Sequence, residues 1–276
     1  MPALIGCGAP GTPSNPSAAT LLAPESCVRF PGELVNSLAW DPAEAEAYVL
    51  SLDLGSGKSV IRRVDPRTMA AEVVARRKQG LATAGLAVGA RGVSWSEVPA
   101  SIWTFDGTVK QELRLDDPVY GLHAVPEGFL GRSPDKSPAD VLLFRSDGTQ
   151  SSRFHADETI RSFDASRDGR DLVVATSEDA GAPMTFVMVS GEAPVTKIEA
   201  PGHLTGGPVL RPGRRDVVYY EDHDDGSFRV LDVASGSSSV ALQADVSEPR
   251  ITADGRVAYT LATPGDADTV CFGTVS

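Results

Sequence analysis

The chain is poor in the residues from which metal, thiol and membrane chemistry are built. Its 276 residues hold three cysteines, four histidines and four methionines, and only 6% are aromatic. The cysteines have no metal-ligand spacing, which excludes a thiolate zinc site. No apolar run approaches the roughly 18 residues that a membrane-spanning helix needs. The nucleophile-elbow pattern Gly-x-Ser-x-Gly is missing, and no Ser, His and acid set has supporting spacing. Basic charge is also short, with 25 Lys and Arg against 37 Asp and Glu and a net charge of -12. A field of that sign disfavours nucleic acid and anionic membrane surfaces. The pairs Arg62-Arg63, Arg76-Arg77 and Arg214-Arg215 are scattered and read as solvated strand edges.

What the chain does have is turns. It carries 27 glycines and 20 prolines, with 41% hydrophobic and 22% charged residues. That balance is globular rather than disordered. The stretch 208–236 shows the repeating unit. Val209-Leu210 runs into the turn Arg211-Pro212-Gly213; Val217 to Tyr220 is a β-branched and aromatic run; a polar loop leads to Phe228 to Val233, closed by Ser235-Gly236. Short apolar runs bounded by such turns predict an antiparallel meander.

Two kinds of turn alternate along the chain. The first joins an inner strand to its neighbour, at Asp41-Pro42, Gly89 to Gly92, Pro126 to Gly128, Arg167 to Gly169, Arg211 to Gly213 and Asp254-Gly255. The second joins a third strand to a fourth, at Asp65-Pro66, Asp106-Gly107, Asp147-Gly148, Ser190-Gly191 and Ser235-Gly236. Successive turns of the second kind lie 41, 41, 43 and 45 residues apart. Four strands every 40 to 45 residues is the period of a propeller blade. The sixth unit ends without its fourth strand, and Ser26 to Phe30 is the candidate to supply it. The predicted fold is all-β: one six-bladed β-propeller over 26–276, of four-stranded antiparallel blades, closed by an N-terminal strand. Residues 1–25, rich in Pro, Gly, Ser and Ala, read as a flexible tether. In that closure Cys27 and Cys271 lie on adjacent antiparallel strands within disulfide reach. The disulfide is favoured over two buried thiols and would mark an oxidising compartment.

Ser166 to Val174, SRDGRDLVV, resembles the TolB-type, WD-like propeller repeat, whose core is Ser-Pro-Asp-Gly-Lys/Arg before an apolar strand. Arg211 to Tyr219 and Thr252 to Tyr259 follow the same pattern. Arg167 and Ala253 stand where the family has Pro, and Gly213 follows Pro212 without the Asp. The resemblance implies the propeller fold and an exported bacterial protein; function does not transfer with the repeat. Leu4-Ile5-Gly6-Cys7 resembles a lipobox, which implies a lipid on Cys7. The charged and most of the apolar regions that precede such a site are missing, so an anchored protein and an accidental match both stay open.

Chemistry is thinly signalled. Gly55 to Ser59 lacks the first Gly of a phosphate loop and reads as a hairpin. Asp222, Asp224 and Gly226 begin a calcium-loop alternation, but no Glu closes it. The ligand-face candidates are Asp222, His223 and Asp224 in one loop and Glu178 and Asp179 in another, with His123 on an inner strand and His203 before blade five. Those acids make a negative face, suited to a cationic ligand or a basic partner. Trp95 and Trp103 read as inter-blade packing. The expected function is non-catalytic: a monomeric, extracytoplasmic propeller that binds an envelope protein or a small ligand, with no metal and no cofactor. The alternatives are a propeller lyase or hydrolase with its site on the channel, and a cytoplasmic protein with free thiols.

Overall fold

The computed structural model describes residues 26–77, 83–97, 100–179, 182–191, 193–200, 207–222, 226–242, 246–261 and 267–275. These form six antiparallel sheets in chain order, arranged as blades around a channel. Blade one runs through Glu33–Trp40, Ala47–Asp53, Lys58–Val64 and Ala71–Arg77. Blade four runs through Thr159–Ala165, Asp171–Ser177, Thr185–Ser190 and Ala193–Glu199. Both kinds of turn fall where the spacing places them. Among the described residues no helix is long and apolar enough to cross a membrane.

The strands are apolar on both faces because each blade is packed between two others. Successive side chains of a strand point to opposite faces. In blade four Leu172 and Val174 pack toward blade three, while Val173 and Ala175 pack toward blade five. Val187 and Val189 alternate with Phe186 and Met188 in the same way. Six such apolar clusters form, one between each pair of adjacent blades, including six with one. Burying each large side chain is worth about 1.5–3 kcal/mol, so these seams carry most of the driving force. Trp95 is fully buried between blades one and two. Its indole N–H donates to Glu97 Oε1 at 2.8 Å, and Arg77 binds Glu97 while lying 3.6 Å over the Trp103 ring.

Two turns of the first kind require glycine. Gly92 and Gly128 have φ of 100° and 155° and begin the second strands of blades two and three. A Cβ there would stand 2.2 Å from Phe105 O and 2.1 Å from Phe144 O, so no other residue fits.

The ring closes as the sequence predicts. Ser26–Arg29 pairs with Thr269–Thr274 as the outer strand of blade six, and Cys27 stands opposite Cys271 in a disulfide. Arg29 pairs with Asp268 at 2.9 Å, and the Trp40 indole donates to Arg250 O across the seam at 2.9 Å. Blade five is the exception to four full strands. Its ladder has three, Val217–Glu221, Phe228–Asp232 and Ser238–Leu242, and its inner strand shrinks to one bridge, Val209 with Tyr219. Pro208 and Pro212 flank that bridge, and proline cannot donate to a ladder. The Leu210 N–H goes instead to Asp164 Oδ2 of blade four at 2.7 Å.

Candidate functional site

The inner strands line a channel with two unlike mouths. The end where inner strands begin, called upper here, opens into a cavity of about 430 Å³. The lower end holds about 100 Å³ around the axis, with a further cavity of about 270 Å³ beside it, lined by Pro42, Arg91, Pro126 and Arg167. Leu86, Leu122, Asp164 and Arg250 line both axial cavities and form the waist.

The lower mouth is bridged by the turn of blade one. Asp41 Oδ1 accepts from the backbone N–H of Ala45 and Glu46, at 2.6 and 2.9 Å, which rounds the turn. Arg167, from the opposite blade, reaches across to the carbonyls of Asp41 and Pro42 and pairs with Glu44 at 3.2 Å. Blade six holds the same turn: Ala253 N–H donates to Glu44 Oε2 at 2.8 Å and Arg256 to Glu44 O at 2.6 Å.

The upper mouth is shaped by bulges. Five inner strands slip register near their start, between Val35 and Ser37, Thr83 and Gly85, Tyr120 and His123, Ile160 and Ser162, and Ser247 and Arg250. A bulge twists its strand and re-aims side chains, here into the funnel. In blade three Gly121 makes the twist with φ of 63°. In blade six Glu248 makes it with φ of 51°, a conformation that is strained for any residue with a Cβ. Tyr120, Arg132, Ser162, Glu221, Glu248 and Arg250 supply the polar lining.

Of the residues expected to form a site, His123 does reach the channel, at the waist. Its Nε2 lies 3.4 Å from Asp164 Oδ1, and its ring packs 5.0 Å from Phe163. Burial lowers its pKa from 6.5; the Asp164 carboxylate opposes the shift and the Arg250 cation adds to it. Neutral imidazole is therefore the favoured form. Glu178 and Asp179 are exposed in the blade-four loop between second and third strands. Asp222 is not a free face acid: it is buried and pairs with Arg229 at 2.8 Å, closing its own hairpin. His203, His223, Asp224 and Cys7 lie outside the described residues. Among the described residues no three His, Cys, Asp or Glu side chains are grouped to hold a metal.

The residues that sequence reasoning missed are Tyr120, Arg132, Asp164, Glu248 and Arg250. They follow no motif. What places them is the repeated bulge, and a one-residue slip leaves little mark in a single sequence.

No family model matches the chain, and no curated protein sequence matches it. Solved propellers do. The crystal structure of TolB from Acinetobacter baumannii superposes with a TM-score of 0.62 at 16% identity, over 78% of this chain and 56% of that one. The β-propeller domain of Cps50 (Swd1) from Myceliophteria thermophila gives 0.61 at 11% identity, over 92% of this chain and 100% of that one. A chain of the Mitotic Checkpoint Complex gives 0.65 at 11%, over 98% and 100%. The chain thus matches about half the length of the TolB chain. The TolB-like propeller anticipated from the turn motifs is borne out as a fold; identities this low speak to architecture alone.

Proposed function

We propose that the protein is a binding propeller of an oxidising, extracytoplasmic compartment, without chemistry of its own, and that its ligand or partner enters the upper funnel. The carrying observation is the contrast of the two mouths among the described residues: main-chain and ionic contacts cross the lower one, and polar side chains line a cavity of about 430 Å³ at the upper one. A rigid scaffold with one polar concavity is the usual form of a binding site. The Cys27–Cys271 bond supports the compartment, because such bonds persist outside the reducing cytosol. The fold of TolB is in keeping with an envelope protein. Ser26 enters the ring on the lower side, since it pairs with Phe272 near the lower end of the last strand.

Native mass spectrometry of the protein released from its source envelope tests the proposal. A bound mass on the wild type, missing from Ser162→Trp, which fills the funnel, is the expected result. An unliganded wild type, or a mass retained by the filled variant, overturns it. A second reading is favoured by one contact, the His123–Asp164 pair on the channel wall. If chemistry runs there, the bound molecule is converted on incubation and Asp164→Asn stops the conversion.

A further inference from the structure

Arg132 of blade three lines the upper funnel, with Asp164 of blade four deeper at the waist. Arg161 is outside the described lining of the cavity, and its charge acts on Arg132. Half-buried Arg132 donates from Nη1 to Ile160 O at 2.9 Å, and Arg161 from Nε to Ser177 Oγ at 2.7 Å. Neither forms an ion pair among the described residues. That is a notable gap in a chain with 37 acids to 25 bases. On the facing wall Arg250 does have a partner, Glu248 at 3.6 Å. Burial of Arg132 lowers its pKa from 12.5, and the neighbouring Arg161 adds to the effect. A guanidinium offers five N–H donors, and the Ile160 carbonyl engages one. A tie between blades would need no more than that bond. Tyr120 stands opposite Arg132 in the strand register, and Ser162 follows on blade four.

In a ring of six, blade six faces blade three. It presents Glu248, whose side chain is 44% exposed and whose backbone is held at φ of 51°. Strain of this kind collects at ligand clamps. The funnel therefore has one arginine without an ion pair among the described residues and, across it, a half-exposed carboxylate whose partner is Arg250.

We propose that the funnel binds a small zwitterion, its carboxylate forked on Arg132 and its ammonium group on Glu248. The proposal rests on the funnel being a binding site and names what enters it. A cavity of about 430 Å³ lies in the range of small-molecule sites. Planar guanidinium matches a carboxylate in two parallel hydrogen bonds.

Isothermal titration calorimetry with the ω-amino acids from glycine to 6-aminohexanoate tests it, with alkylamines and alkanoates of matched length beside them. One length is expected to bind at least tenfold tighter than either matched control. Arg132→Gln should weaken it by roughly 10- to 100-fold, the worth of a charged hydrogen bond. Arg132→Lys should fall between, and Glu248→Gln should erase the advantage over the alkanoate alone. If Arg132→Gln unfolds, Glu248→Gln carries the test, since it leaves the Ile160 bond in place. The proposal is overturned if no member binds, if the arginine variants bind as the wild type does, or if the amine matches the amino acid. In that last case the funnel remains a site and only the carboxylate assignment falls. A native mass retained by Ser162→Trp would instead remove the funnel itself.

Discussion

The two mouths of the channel are built from the same strands and differ in how far their charges are paired. At the lower mouth every charged group that crosses the channel has found a partner: Arg167 and Arg256 both end on the blade-one turn, and Glu44 takes the Ala253 N–H. At the upper mouth Arg132 has one carbonyl, and Glu248 sits in a strained backbone. On the proposed function the lower mouth is arranged for persistence and the upper one for an encounter. Residues that leave hydrogen-bonding capacity unused mark the end where a ligand is expected, and stability is commonly given up there.

The strongest way to break this contrast is to open the ring. Replacing Cys27 and Cys271 by Ser removes a link between residues 244 apart in sequence. The chain-entropy argument puts the loss near ~5 kcal/mol, read as a drop in the urea midpoint, with both mouths lost in one transition. A midpoint unchanged by reduction would mean that strand pairing alone holds the seam.

The waist comes next. Asp164→Ala strands the Leu210 N–H and the His123 ring together and should cost about 2–3 kcal/mol. The same site sets a pH dependence. His123 has a folded pKa below 6.5, so the unfolded chain binds its proton first. The stability from the neutral ring is complete above pH 6.5 and is lost as pH falls from there toward the folded value. Aspartates such as Asp254 and Asp268, held below 3.8 by Thr252 and Arg29 respectively, lose theirs only at more acid pH. Urea midpoints between pH 7.5 and 5 should therefore decline, and His123→Gln should flatten the decline.

A smaller effect sharpens the contrast, because its sign is reversed. Glu248→Gly relieves the positive φ and should raise stability by up to about 1 kcal/mol while weakening zwitterion binding. A loss of stability instead would show that Glu248 belongs to the scaffold. The smallest effect is at the strap. Arg167 is half exposed, so Arg167→Ala should cost less than ~1 kcal/mol. Its mark is local: faster amide exchange at Ala45 and Glu46, with the funnel unchanged.

Much of the architecture was legible because it rests on local rules. Asp147-Gly148 and Ser235-Gly236 announce hairpins, and runs such as Leu172 to Ala175 announce strands buried on both faces. The closing strand and its disulfide followed from counting strands and finding one too few. The candidate site was legible only in part. His123 was placed on the channel, but its partner Asp164 lies on another blade and at no telling interval. Asp222 was taken for a face acid because it stands among acids; Arg229, across its own hairpin, claims it instead. Arg132 stands in no motif that marks it.

By itself the sequence determined the number of blades, the places of the turns and the strand that closes the ring, because hairpin chemistry and period-two burial act over a few residues. The tertiary structure alone decided which charges meet and which do not. Arg167 finds Glu44 across a sequence separation of 123, while Arg132 and Arg161 find no acid among the described residues. That outcome depends on ring closure and on bulges that turn side chains inward, and both are long-range consequences of packing six blades around one axis.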